Sequence, residues 1–183
     1  MESLQRSVYK RGAEDGLVLG PLLVAVVVLT GATTYRPWLF LPTLLLMAAV
    51  PVFVYRFLRR SHAEQPLAGV SALWLEGICA FFFGGLIMSL AAYLCMRWFF
   101  PTFIADQFLT VIDVYSRLDS PDARDVAATL QKAVEARALP TPIEMALELL
   151  YLAVLSGSLL SGLMALIIKR GRRKSPPTPP PFQ

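Results

Sequence analysis

Residues 77–96 read Gly-Ile-Cys-Ala-Phe-Phe-Phe-Gly-Gly-Leu-Ile-Met-Ser-Leu-Ala-Ala-Tyr-Leu-Cys-Met, twenty positions without a charge. As a helix rising about 1.5 Å per residue, such a stretch crosses a hydrocarbon core of about 30 Å. Three further charge-free stretches flank it at residues 16–35, 37–55 and 149–168. Lipid offers the backbone no hydrogen-bond partners, so a short apolar segment of this kind satisfies itself as an α-helix. The whole composition agrees: 56% of residues are hydrophobic and 16% charged, with a mean hydropathy of +0.57. Soluble domains carry about 25% charged residues, enough to cover their surface. The sequence therefore predicts an all-α integral membrane protein, a four-helix bundle passing the membrane four times.

The connections set the order of the bundle. Thr34-Tyr35-Arg36-Pro37-Trp38 is too short for anything but a tight turn, which makes spans one and two an antiparallel pair. A signal peptide is the competing reading of the amino terminus, with Lys10 and Arg11 as its basic region, but a second span starts at once and favours a retained hairpin. Gln65-Pro66-Leu67-Ala68-Gly69 looks irregular. Pro51 leaves the Met47 carbonyl without its donor and predicts a kink in span two unless a neighbour compensates.

Residues 97–148 are too many for a structureless loop, and two helices fit them. The first covers about 102–118, with Ile104, Phe108, Val111, Ile112 and Tyr115 at helical spacing. The second starts after Ser120 as N-cap, with Pro121 in its first position, and carries a stripe of small residues including Ala123, Ala127 and Ala133. Thr141-Pro142-Ile143-Glu144 reads as a capping box that opens the last helix. The organisation expected is an N-terminal tail at 1–15, a membrane domain at 16–170 with a two-helix insert at about 98–147, and a basic, Pro-rich, disordered tail at 171–183.

Lys169, Arg170, Arg172, Arg173 and Lys174 hold five positive charges, so the net charge of +4 is local rather than spread. A basic run beside a membrane exit signals orientation and anionic lipid, and no stripe or motif points to nucleic acid. With both termini in the cytoplasm, eleven Lys and Arg lie inside and six outside, where eight carboxylates accompany them. The positive-inside rule thus predicts cytoplasmic termini and an extracytoplasmic insert.

Chemistry-bearing motifs are sparse. Gly12, Gly16 and Gly20 form two linked GxxxG units, while Gly84, Gly85 and Ser89 mark span three and Gly157, Ser158, Ser161 and Gly162 mark span four. Small residues at this spacing let helix backbones approach in lipid. They serve either internal packing or the face of a partner, and the spacing alone does not separate the two. Glu14, Asp15, Glu76, Glu144 and Glu148 sit at expected span beginnings and basic residues at span ends, a pattern that helix dipoles account for. Glu144 and Glu148, one turn apart, are the candidate polar site. His62 lacks ligand-spaced neighbours and reads as a solvated loop residue. Cys79 and Cys95 are about 24 Å apart along one helix, beyond disulfide reach. No nucleophile motif, phosphate loop or metal-ligand spacing is present, so no catalytic, cofactor or metal residue is assigned.

The chain resembles a family of small four-span membrane proteins of Bacteroidetes-type bacteria, catalogued as a domain of unknown function. The likeness covers about residues 9–170. It rests on Tyr9-Lys10-Arg11-Gly12 before the first span, the Arg-ended second span, Arg97-Trp98-Phe99-Phe100-Pro101-Thr102-Phe103-Ile104, and Gly157-Ser158-Leu159-Leu160-Ser161-Gly162 followed by Lys169-Arg170. Phe100 and Thr102 stand where the family's segment usually has Asn and Asp. The resemblance implies a bacterial inner-membrane location, frequent company with a membrane-associated glycosyltransferase, and no activity or functional residue to carry over. The expected role is a non-catalytic scaffold or accessory subunit binding membrane lipids and another membrane protein or itself; a small oligomeric transporter or channel is the alternative.

Overall fold

A computed structural model describes residues 2–33, 35–65, 69–136 and 138–172, with the side chains of 2–7 and 171–172 left aside. Among the described residues every regular element is helical: α1 (Glu2–Thr33), a short 3₁₀ turn (Pro37–Leu39), α2 (Phe40–Glu64), α3 (Val70–Leu94), a π-turn (Cys95–Phe99), α4 (Phe103–Ser116), α5 (Pro121–Glu135) and α6 (Pro142–Arg172). Four of these stretches are long and apolar enough to cross a membrane: Val8–Thr33, Pro37–Glu64, Val70–Phe99 and Pro142–Arg170. The chain is thus a multi-pass membrane protein by length and composition of its helices.

The helices extend beyond the charge-free stretches at both ends. α1 runs unbroken through the 1–15 segment from Glu2, and α3 begins two turns before Gly77. α2 continues through Pro51 without interruption and on to Glu64, so the link to α3 is a handful of residues. Gln65 ends α2, its backbone N–H donating a hydrogen bond to the Ser61 carbonyl; Pro66, Leu67 and Ala68 of the expected irregular stretch lie outside the described residues. The turn between α1 and α2 closes with the Tyr35 and Arg36 amides donating to the Ala32 carbonyl.

The chain divides into two compact units, Met1–Met88 with Leu150–Gln183, and Ser89–Leu149. In the first, α3 is the hub. Its buried residues Leu73, Glu76, Cys79, Ala80, Phe81 and Met88 occupy more than one face, as a central helix requires. α1 lies along it in parallel, burying Val8, Gly12, Gly16, Leu19, Gly20 and Leu23 at helical spacing. α6 lies along it antiparallel, and α2 packs beside α1. Large apolar side chains face outward, among them Leu41, Leu45, Leu159 and Leu163, as lipid-facing helices demand.

In the second unit α4 and α5 pack together. α5 starts as its sequence requires, with Ser120 extended, Pro121 at the first position and Asp122 in the first turn, although the Ser120 hydroxyl makes no capping bond. The small stripe on α5 is covered at Ala123 and Ala127. α6 opens on the expected capping box. The Thr141 amide and hydroxyl donate to Glu144 Oε2 at 2.7 and 2.9 Å, and the Glu144 amide returns to Thr141 Oγ1 at 3.4 Å. The π-turn at the end of α3 had no sequence signal. Its Phe100 amide reaches back five residues to the Cys95 carbonyl.

Candidate functional site

The small residues of the sequence build two seams on α3. A Cβ on Gly16 would sit 2.8 Å from the Ala80 carbonyl oxygen, and one on Gly12 would sit 2.9 Å from that of Glu76. Gly20 faces Ile87, and Gly84 in turn meets the backbone of Gly16 and Gly20. Backbones in such contact leave no room for a side chain, which is the physical content of a GxxxG face. On the other side of α3, Gly157 lies under the Phe81 ring, Gly77 against Ser161, Gly162 under the Trp74 indole, and Gly85 against Leu150 and Ala153. The Trp74 indole N–H donates to the Ser158 carbonyl at 2.9 Å, adding a directional bond to this second seam. Ser161 is fully buried, and its hydroxyl has no hydrogen-bond partner among the described residues. Ser89 is also buried. These glycines thus meet other helices of the same chain.

Where α1, α2 and α3 meet, the chain assembles a polar junction. Glu76 on α3 is 3% exposed, and its carboxylate accepts a hydrogen bond from the Ser61 hydroxyl of α2. His62, next to Ser61, is buried as well. Arg11 of α1 pairs with Glu64 of α2 at 3.4 Å, and Arg60 reaches the same carboxylate at 3.3 Å. Asp15 is half-buried one turn from Arg11 and couples electrostatically to Arg60, Arg11 and Glu64. Gly12 makes this possible, since its missing side chain lets α1 lie directly on the Glu76 peptide.

Two sequence expectations change here. Glu76 is not an edge residue answering a helix dipole: α3 begins at Val70, so Glu76 lies in the helix interior with its side chain turned to α2. His62 is not a solvated loop residue, because α2 extends past it. Both differences have one cause. In one dimension a charge marks the end of a span, so an ionisable residue inside a helix does not show as such. The available signal lies before Glu76, where Val70 and Leu73 continue the helical spacing of span three.

The other sequence candidates are not brought together. Glu144 is exposed and occupied in its capping box, and Glu148 is exposed one turn further along α6. Of the basic run, Lys169 is half-buried and Arg170 exposed on α6, and Arg172 ends that helix. Arg173, Lys174 and the Pro-rich tail lie outside the described residues.

The sequence profile of a family described as "Protein of unknown function (DUF4199)" matches residues 14–170. That is most of the chain, and the protein belongs to this family. No curated protein and no solved structure matches it.

Proposed function

We propose that this member of an uncharacterised family is a non-catalytic membrane subunit that binds another membrane protein. One observation carries the reading. The polar side chains of its membrane helices tie the chain's own helices to one another: Ser61 to Glu76, Arg11 to Glu64, and Trp74 to the Ser158 carbonyl. A polar group in a bundle that bonds across helices fixes their register. In this role the protein is a rigid frame whose outer surfaces do the binding. An enzyme of lipid-linked glycans is the partner class drawn from the family resemblance. The positive-inside rule gives the orientation of the proposal, with termini and polar junction on the cytoplasmic side of the inner membrane and α4–α5 on the other.

Native mass spectrometry of the protein, gently extracted from its own membrane, tests this. The reading expects a foreign subunit at fixed stoichiometry, retained in the Glu148→Gln variant. A lone monomer or a homo-oligomer sinks it.

The second reading, a small oligomeric transporter, draws on the burial of Glu76, because ionisable groups kept inside membrane segments commonly serve a transport path. A solute or proton flux in liposomes that Glu76→Gln abolishes while assembly is unchanged would establish it in place of the first.

A further inference from the structure

The helix α4 carries an apolar face that α5 leaves uncovered. Val111, Val114 and Tyr115 follow the i, i+3, i+4 spacing of one helix face, Leu118 follows in the turn just past the helix end, and all four are exposed. Ile104, Phe108 and Ile112 form the neighbouring stripe and are half-buried, as expected for the side turned to α5. Asp106, Thr110 and Asp113 line the opposite side, where the C-cap Arg117 pairs with Asp113 at 2.8 Å. Leu109 is the exception on that polar side. α4 is therefore wider in its apolar arc than its pairing with α5 requires. α5 buries Ala123 and Ala127, leaves Val126 exposed, and shows solvent Asp122, Arg124, Asp125, Lys132 and Glu135.

What covers the remaining face follows from what precedes it. Trp98 and Phe99, at the end of the third membrane-crossing stretch and in the same compact unit, are each 72% exposed. Exposed Trp and aromatic residues at a span end mark the headgroup level. From there the chain has three residues before α4 begins at Phe103, and they are pinned. The Phe103 amide donates to the Phe100 carbonyl, and the Asp106 amide to the Thr102 carbonyl. α4 thus starts at the depth of the aromatic collar and presents large apolar side chains along one side and Asp106, Thr110 and Asp113 along the other. Such a division into an apolar and a polar side suits a helix lying in the membrane interface.

We infer that α4 is an interfacial helix, resting in the plane of the membrane surface with Val111, Val114 and, just past its end, Leu118 set among the lipid acyl chains, and Asp106, Asp113 and the C-cap Arg117 toward water. The inference requires a membrane protein but is independent of whether the chain serves as a subunit or a transporter. α4 with α5 is then a fixed platform on the bilayer rather than a domain standing away from it.

The test is depth measurement on the full chain in liposomes of phosphatidylcholine and phosphatidylglycerol. Cys79 and Cys95 are replaced by Ala, and single cysteines at 111, 114, 118, 113 and 125 carry a small fluorophore. Shallow nitroxide-labelled lipid should quench the labels at 111, 114 and 118 about twofold more than those at 113 and 125, matching a burial depth of about 5–10 Å. Aqueous iodide should show the reverse order. Equal access of iodide to all five positions would overturn the inference, and so would equal lipid quenching at all five. Labels at 111, 114 and 118 shielded from both quenchers would also overturn it, since a second copy or another protein would then cover the face. Using three positions on one stripe keeps the result independent of damage at any single one.

Discussion

The seams around α3 and the pairing of α4 with α5 are both helix contacts built on small residues, yet they answer different solvents. At Gly12, Gly16 and Gly157 the backbone itself, or a ring laid on it, is the contact surface. At Ala123 and Ala127 a methyl group remains, and one flank of α4 is left bare. Lipid tails are as apolar as leucine, so helices within the membrane gain little by hiding large side chains from their surroundings. They gain by close backbone approach and by polar bonds. α5 is mostly charged outside its stripe, so burying that stripe on α4 brings the ordinary hydrophobic gain. The first region should consequently be intolerant of added volume and the second tolerant of lost charge.

The sharpest way to break this comparison is Gly16→Leu. Its side chain has the Ala80 carbonyl and the Phe83 Cβ in its way, both 2.8 Å from the first added carbon. Overpacking of a fixed seam costs about 1–3 kcal/mol and occasionally more. Reversible unfolding in mixed micelles should show a loss at the upper end of that range; a loss below a few tenths would mean that α1 does not lie on α3 as described. Next comes Trp74→Phe, which removes the indole donor to Ser158 but keeps much of the ring over Gly162. The same assay should read about 0.5–1.5 kcal/mol. The smallest effect belongs to the second region. Asp113→Asn removes the exposed pair with Arg117, in which both side chains are more than half exposed. Such pairs contribute about 0.2–1 kcal/mol, so hydrogen exchange in α4 and α5 should change little. A large loss of protection there would mean that the charged side of α4 is a contact surface.

Much of the fold was legible in the sequence because its strongest signals are one-dimensional. Charge-free length marked the four crossings, Thr141 and Glu144 marked the start of α6, and Ser120-Pro121 marked the start of α5. The small-residue seams were visible as spacings, although the neighbour each would meet was not: Gly16 contacts Ala80, sixty-four positions away, through three-dimensional packing alone. The polar junction was not legible. Reading His62 as a loop residue follows from ending span two at Arg59 and Arg60. Reading Glu76 as a helix-edge residue follows from the rule that ionisable groups avoid apolar helices. That rule fails where another helix supplies a partner. The π-turn at Cys95–Phe99 was equally hidden, since one extra residue in a turn leaves the composition unchanged.

The central claim is that Glu76 is kept inside the bundle because it ties α3 to α2. A double-mutant cycle reads this directly, from the unfolding free energies of the wild type, Ser61→Ala, Glu76→Ala and the double variant in one micelle system. A working tie predicts a coupling of about 0.6–2 kcal/mol between the two positions, with the double variant less impaired than the two single losses added together. Additivity within about 0.3–0.5 kcal/mol would contradict it, leaving a buried carboxylate without a structural reason and shifting the weight to transport.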